Sequence, residues 1–137
     1  RVKKVITLAG VCDFGSRTAT TGSLEQWKKD GVKYVVNGRT KQQMPHYIQF
    51  YEDFIQNEER LTIKRAVEKL EIPHLIIHGN KDTSISVEEA KTQHRWNPKS
   101  ELAIIENADH VFNTKHPWNK DTMSKELDEV VQKIKNF

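Results

Sequence analysis

Asp82 and His110 are the residues whose types and placement could do chemistry together: a carboxylate that only accepts hydrogen bonds and, 28 residues on, an imidazole able to take and return a proton. Each follows a short apolar run, Pro73-His74-Leu75-Ile76-Ile77-His78-Gly79 before the acid and Leu102-Ala103-Ile104-Ile105-Glu106 before the histidine. Such runs read as buried strands. In an open α/β sheet the loops leaving the carboxyl ends of parallel strands converge on one edge, so the two side chains can meet there. An acid and a base in that order are two members of a hydrolytic triad. The bland alternatives are a turn aspartate and a surface histidine. Against the first, Ser86-Val87-Glu88-Glu89 already has capping-box spacing for the next helix, which leaves Asp82 without a local duty.

The elements that must position this pair are those of an α/β fold. Three parallel strands are expected near residues 4–9, 74–78 and 102–106, with helices on both faces, among them one from Val87 to about Trp96 and one from about Thr122 to Phe137. Met123, Leu127, Val130, Val131, Ile134 and Phe137 form the buried stripe of the last helix. The first strand, Val5-Ile6-Thr7-Leu8-Ala9, is apolar on both faces and should lie inside a parallel sheet with a neighbour on either side.

More than sixty residues separate the first two strands, where a parallel crossover needs about a dozen. The surplus, residues 14–60, reads as an α-rich cap leaving the same sheet edge. Ser23-Leu24-Glu25-Gln26 has capping-box spacing for a short helix that carries Trp27 and stops near Gly31. Asn37-Gly38 suits a tight type I′ hairpin turn, with Arg39 beside it available to an anionic group. Pro45 is expected to open a helix whose apolar residues are Tyr47, Ile48, Tyr51, Phe54 and Ile55.

The 137 residues allow one domain with its own core. Charged residues are 30% of the chain and mean hydropathy is −0.74, a polar composition with a large exposed surface. Twenty-two basic against 19 acidic residues give only +3, scattered among acids, so no nucleic-acid partner is expected. No apolar stretch approaches the ~20 residues of a membrane helix and no signal peptide heads the chain, which points to a soluble, cytoplasmic protein without a membrane partner. Cys12 is the single cysteine, so neither an intrachain disulfide nor a cysteine zinc site can form. His74 and His78 have the spacing of zinc helices, but Pro73 and the intervening Leu-Ile-Ile make that segment a strand, and no metal or other cofactor is expected.

His78-Gly79-Asn80-Lys81-Asp82, Ile85, Ala90 and the later Ala108-Asp109-His110-Val111-Phe112 together resemble the C-terminal half of an α/β-hydrolase, most closely the dienelactone hydrolase-like and acyl-peptidase-like esterases. The resemblance spans residues 1–137 if 14–60 are the inserted cap. It implies a serine esterase or related hydrolase with a catalytic triad. Asp82 would hold the imidazole of His110 in the right tautomer, and His110 would be the general base toward a serine attacking an ester or acyl carbonyl. Phe112, beside the base, and Trp27, in the cap, are the expected substrate-binding residues for a small-molecule ester or acyl substrate.

None of Ser16, Ser23, Ser84, Ser86, Ser100 or Ser124 lies in the Gly-x-Ser-x-Gly elbow that such a triad uses. Cys12 could replace it by position, but the carboxylate of Asp13 beside it disfavours a thiolate. The elbow and the oxyanion hole are therefore expected upstream of Arg1. On this reading the chain is a fragment that retains acid and base, and its partner is the N-terminal half of the same fold. The competing reading is a non-catalytic α/β binding or assembly module, homo-oligomeric through an exposed first strand.

Overall fold

A computed structural model describes all residues except 1, 19–21 and 39. The elements in chain order are β1 (Val5–Leu8), α1 (Gly15–Thr18), α2 (Leu24–Asp30), β2 (Val32–Val36), β3 (Gln43–Tyr47), α3 (Gln49–Gln56), α4 (Glu58–Leu61), α5 (Ile63–Glu68), β4 (His74–Gly79), α6 (Val87–Trp96), β5 (Glu101–Ile105) and α7 (Lys125–Asn136). They divide into two compact units, one of Arg1–Cys12 with Lys64–Phe137 and the other Asp13–Ile63.

The first unit holds a parallel sheet of order β1-β4-β5. Its middle strand, His74-Leu75-Ile76-Ile77-His78-Gly79, is buried along its whole length, which is why it reads as an unbroken apolar run rather than an alternating one. Ile6 pairs with Leu75 and Ile77 with Ala103, so the parallel register runs straight across. On one face Leu75, Ile77 and Ile105 meet Val130, Leu127, Ile134 and Phe137, which belong to α7 or directly follow it. Burying each such aliphatic side chain stabilises the fold by about 1.5–3 kcal/mol. Ile76 and His78 turn to the opposite face. There α6 contributes Ala90 and Gln93, whose amide donates to the carbonyls of Gly10 and Val11.

Within this unit β1 pairs only with β4 among the described residues, and Ile6 and Leu8 are 38% and 46% exposed, the exposed first strand of the sequence reading. Which elements cover a strand is a non-local property that its own apolarity does not report. The last helix begins at Lys125 rather than Thr122, because the Ser124 hydroxyl caps it by accepting from Leu127 N–H at 3.1 Å. Met123 therefore falls outside the buried stripe.

The second unit contains α1 to α4 and an antiparallel ribbon of β2 and β3. Helix α2 forms as expected, with the Ser23 side chain accepting from Gln26 N–H and Gly31 closing it at φ 71°. The hairpin differs: Val36 pairs with Gln43, so residues 37–42 connect the strands instead of a two-residue turn. Asn37 organises that loop by accepting from Thr40 N–H through its side chain and from Lys41 N–H through its carbonyl. Arg39 lies outside the described residues. Pro45 lies in β3 opposite Tyr34 and does not start a helix. Both strands of a two-stranded ribbon are edges, so a missing N–H is tolerated there. Helix α3 starts later, after Ile48 N–H is anchored on the Gly31 carbonyl at 2.8 Å.

Candidate active site

The site is built where β4 and β5 end. Gly79, the last residue of β4, lies so close to the loop after β5 that a Cβ there would sit 2.2 Å from the Ala108 carbonyl oxygen. From this contact the two loops are laced together. Asn80 N–H donates to Ile105 O and Lys81 N–H to Ala108 O, while the Asn80 side-chain oxygen accepts from Asn107 N–H at 2.7 Å. The second loop is also locked internally. Asp109 Oδ1 accepts from the backbone N–H groups of Val111 and Asn113, and Asn113 returns a bond to Asn107 O.

On this frame Asp82 and His110 meet: His110 Nδ1 lies 2.8 Å from Asp82 Oδ2. A carboxylate oxygen only accepts, so Nδ1 carries the hydrogen and Nε2 presents a lone pair. The Asp82 side chain is fully buried and that of His110 is 43% exposed. The arrangement is therefore a buried acid behind an imidazole that reaches the surface. Among the described residues no bond to His110 Nε2 is formed.

Asp82 also has the local duty that the capping serine had left unassigned. Its Oδ1 accepts from Ser84 N–H at 2.8 Å and Ile85 N–H at 2.9 Å, closing an Asx turn, while Ser86 independently caps α6. One oxygen holds the loop and the other holds the imidazole. Burial alone would push the Asp82 pKa up. The bonds from Ile85 N–H, His110 and Ser84 N–H, with the charge of His110, outweigh that and hold the carboxyl below its ordinary range.

Phe112, expected beside the substrate, is 5% exposed and packs in the core with Leu75, Ile77, Ile105 and Val130. Its φ of 54° turns the ring inward, a conformation uncommon for a bulky residue. A bond from the Ser124 hydroxyl to the Phe112 carbonyl at 2.6 Å holds it there. Phe112 thus anchors the loop that carries His110. Trp27 belongs to the other unit and is enclosed within it. Its Nε1 donates to His46 O at 2.8 Å and the Lys33 ammonium lies 3.7 Å from the ring centroid.

Several serines have structural employment. Ser23, Ser86 and Ser124 cap helices, and Ser100 donates to Asn97 O within its turn. None of the six is bonded to His110 among the described residues. Cys12 donates its backbone N–H to Glu89. No group of three or more His, Cys, Asp or Glu among the described residues is arranged to hold a metal ion, and no described helix is long and apolar enough to cross a membrane. A cleft of about 570 Å³ lies in the segment after His110, with Trp118, Pro117 and Lys115 among its lining residues, and Asp82 and His110 are not part of it.

The side chains around the pair that sequence reasoning overlooked are His78, Asn80, Asp109 and Asn113. The available signal was the cluster of short polar residues directly after each strand, a composition suited to side-chain-to-backbone bonding in turns.

No protein-family model matches the sequence, and no curated protein does. Solved structures do match in shape. Est1E from Butyrivibrio proteoclasticus superposes with a TM-score of 0.64 at 17% identity, over 99% of this chain and 50% of that one. The esterase domain of a Rhodothermus marinus protein gives 0.51 at 17% identity, over 82% and 45%, and E-2-(acetamidomethylene)succinate hydrolase gives 0.51 at 14%, over 99% and 57%. The chain thus spans about half the length of each. With a parallel β1-β4-β5 sheet, helices on its faces and loops that converge beyond β4 and β5, this chain carries part of an α/β-hydrolase fold.

Proposed function

We propose that this chain is the C-terminal part of a serine hydrolase acting on ester or related acyl substrates, with Asp82 as the triad acid and His110 as the general base. One observation carries the reading: the 2.8 Å contact joins a buried carboxylate to an exposed imidazole at the carboxyl ends of adjacent parallel strands. In this role His110 Nε2 takes the proton of an attacking serine and then delivers it to the leaving group. Asp82 fixes the tautomer and stabilises the imidazolium that forms in between. The nucleophile elbow and the oxyanion donors belong to a segment that this sequence does not contain.

The competing reading, a non-catalytic assembly module, draws on the exposed Ile6 and Leu8 at the edge strand β1. A fluorophosphonate probe separates the two. The 137-residue chain is expected to give no adduct by intact mass. A longer chain that supplies the elbow is expected to be labelled on one serine, at a rate that falls on the order of 10³-fold or more in His110→Ala. An adduct on the short chain overturns the assignment of the nucleophile elsewhere, and labelling of the long chain that is indifferent to His110→Ala overturns the role of the base.

A further inference from the structure

We infer that His78 is a positioning residue for the acid: its one N–H braces Ile85, which in turn donates to the Asp82 carboxylate and ties that carboxylate to its own loop. The inference rests on the reading of Asp82 and His110 as acid and base, and extends it to a residue outside the pair.

His78 is the penultimate residue of β4 and is completely buried. Three neighbours in the same strand, Leu75, Ile76 and Ile77, are aliphatic, and an aliphatic residue would fill this position without desolvating a polar ring. The imidazole is used for something specific. Its Nε2 lies 2.9 Å from Ile85 O and 3.2 Å from Asp82 Oδ2. Both are acceptors, so Nε2 carries the hydrogen and donates it to Ile85 O, with Asp82 Oδ2 beside it as an electrostatic neighbour. Nδ1 is buried with no hydrogen-bond partner, so this one N–H accounts for the polar function of the ring.

Both neighbours of Nε2 belong to the loop that presents the acid. Ile85 donates its N–H to Asp82 Oδ1 and accepts from His78 at its carbonyl, so a chain of hydrogen bonds runs from β4 through Ile85 to Asp82. The groups facing the carboxylate are then His78 from β4, His110 from the loop after β5, and the N–H groups of Ser84 and Ile85 from its own loop. Oδ1 takes two backbone donors and Oδ2 takes His110, so the carboxylate plane is fixed, and the His78 bond to Ile85 O holds the residue that supplies one of those donors.

The test uses the folded, isotope-labelled chain. Long-range proton–nitrogen correlations of the imidazoles are expected to show His78 as the Nε2–H tautomer, and an Nδ1–H tautomer overturns the inference whatever the variants do. The Asp82 carboxyl carbon is then followed against pH in the wild type, His78→Leu and His78→Gln. Loss of the bond that braces Ile85, and of the N–H 3.2 Å from Oδ2, is expected to favour protonation of Asp82 roughly tenfold in His78→Leu. His78→Gln, whose amide N–H reaches the place of Nε2, is expected to restore most of the difference. A purely structural histidine would lower the melting temperature in both variants and leave the Asp82 titration unmoved, which overturns the proposal. If leucine prevents folding, the comparison passes to His78→Asn, whose shorter amide cannot reach Ile85 O, with the same expected rise and the same refutation. The same spectra keep the two ideas apart, since an Nε2–H tautomer at His110 sinks the acid–base reading while leaving the His78 result to stand or fall by itself.

Discussion

Gly79→Ala is the most direct test of how the two site loops are held together. The added methyl carbon would lie 2.2 Å from Ala108 O, 2.7 Å from Ala108 C and 2.9 Å from Ala108 Cβ, against an ordinary contact of 3.4 Å or more. Relief requires a separation of about 1 Å, and two of the three atoms in the way are backbone, so no side-chain rotation supplies it. The displaced segment includes the Lys81 N–H to Ala108 O bond and ends two residues before His110. Overpacking of this kind typically costs about 1–3 kcal/mol, and a backbone obstruction belongs at the upper end. With a urea m-value of about 2 kcal/mol/M, a loss near 3 kcal/mol lowers the unfolding midpoint by about 1.5 M. A second readout is the His110 Nδ1–H resonance, which is expected to move or broaden as the 2.8 Å contact to Asp82 opens. A displacement of about 1 Å is also enough to cost catalysis on the order of a hundredfold. An alanine variant with an unchanged midpoint and an unchanged Nδ1–H signal would refute the close approach and the coupling argued from it.

Two other perturbations follow from the same geometry. The Asp82 carboxyl is held below its ordinary range, so its contribution to stability is complete above the unfolded carboxyl value and lost as pH falls through the lower folded one; burial likewise lowers the pKa of His74, so the unfolded chain takes up a proton below about pH 6.5 that the folded state refuses. The urea midpoint is therefore expected to decline in two stages on acidification, the upper one shallower in His74→Gln and the lower one shallower in Asp82→Asn; identical profiles in all three proteins contradict this. Ser124→Ala removes both the cap on Leu127 N–H and the bond to Phe112 O, and is expected to destabilise the chain by about 1–2 kcal/mol. A urea titration that finds no loss would show that neither bond matters.

What could be read in advance was whatever several local signals agreed on. Strand β4 was visible as a β-branched apolar run after a proline, α6 through its capping serine, and the meeting of Asp82 with His110 through the rule that parallel strands deliver their loops to one edge. The errors came from information that local pattern does not contain. Pro45 fits the pattern of a helix opener, and nothing near it in sequence reveals that β3 has a free edge. Being next to His110 in sequence does not report where the Phe112 side chain goes, and the left-handed residue sends its ring into the core. Ser86 satisfies the expectation of a cap and so hides the turn formed by Asp82, although an aspartate can brace its own loop and still offer its second oxygen elsewhere.

The lacing of the loops after β4 and β5 also bears on the order in which the chain acquires structure. Leu75 pairs with Glu101 across a short stretch of chain that contains α6, whereas Val5 must find His74 across the whole of Asp13–Ile63. Loop-closure entropy favours the nearer pairing by about 0.9 kcal/mol before any difference in contacts. The hydrogen bonds that join Asn80, Lys81, Asn107 and Ala108 all lie inside that nearer unit, so they can form as soon as β4, α6 and β5 assemble. Asp82 and His110 are thus brought together by low-contact-order structure, and their geometry is set early, by the part of the chain that folds on the least long-range information.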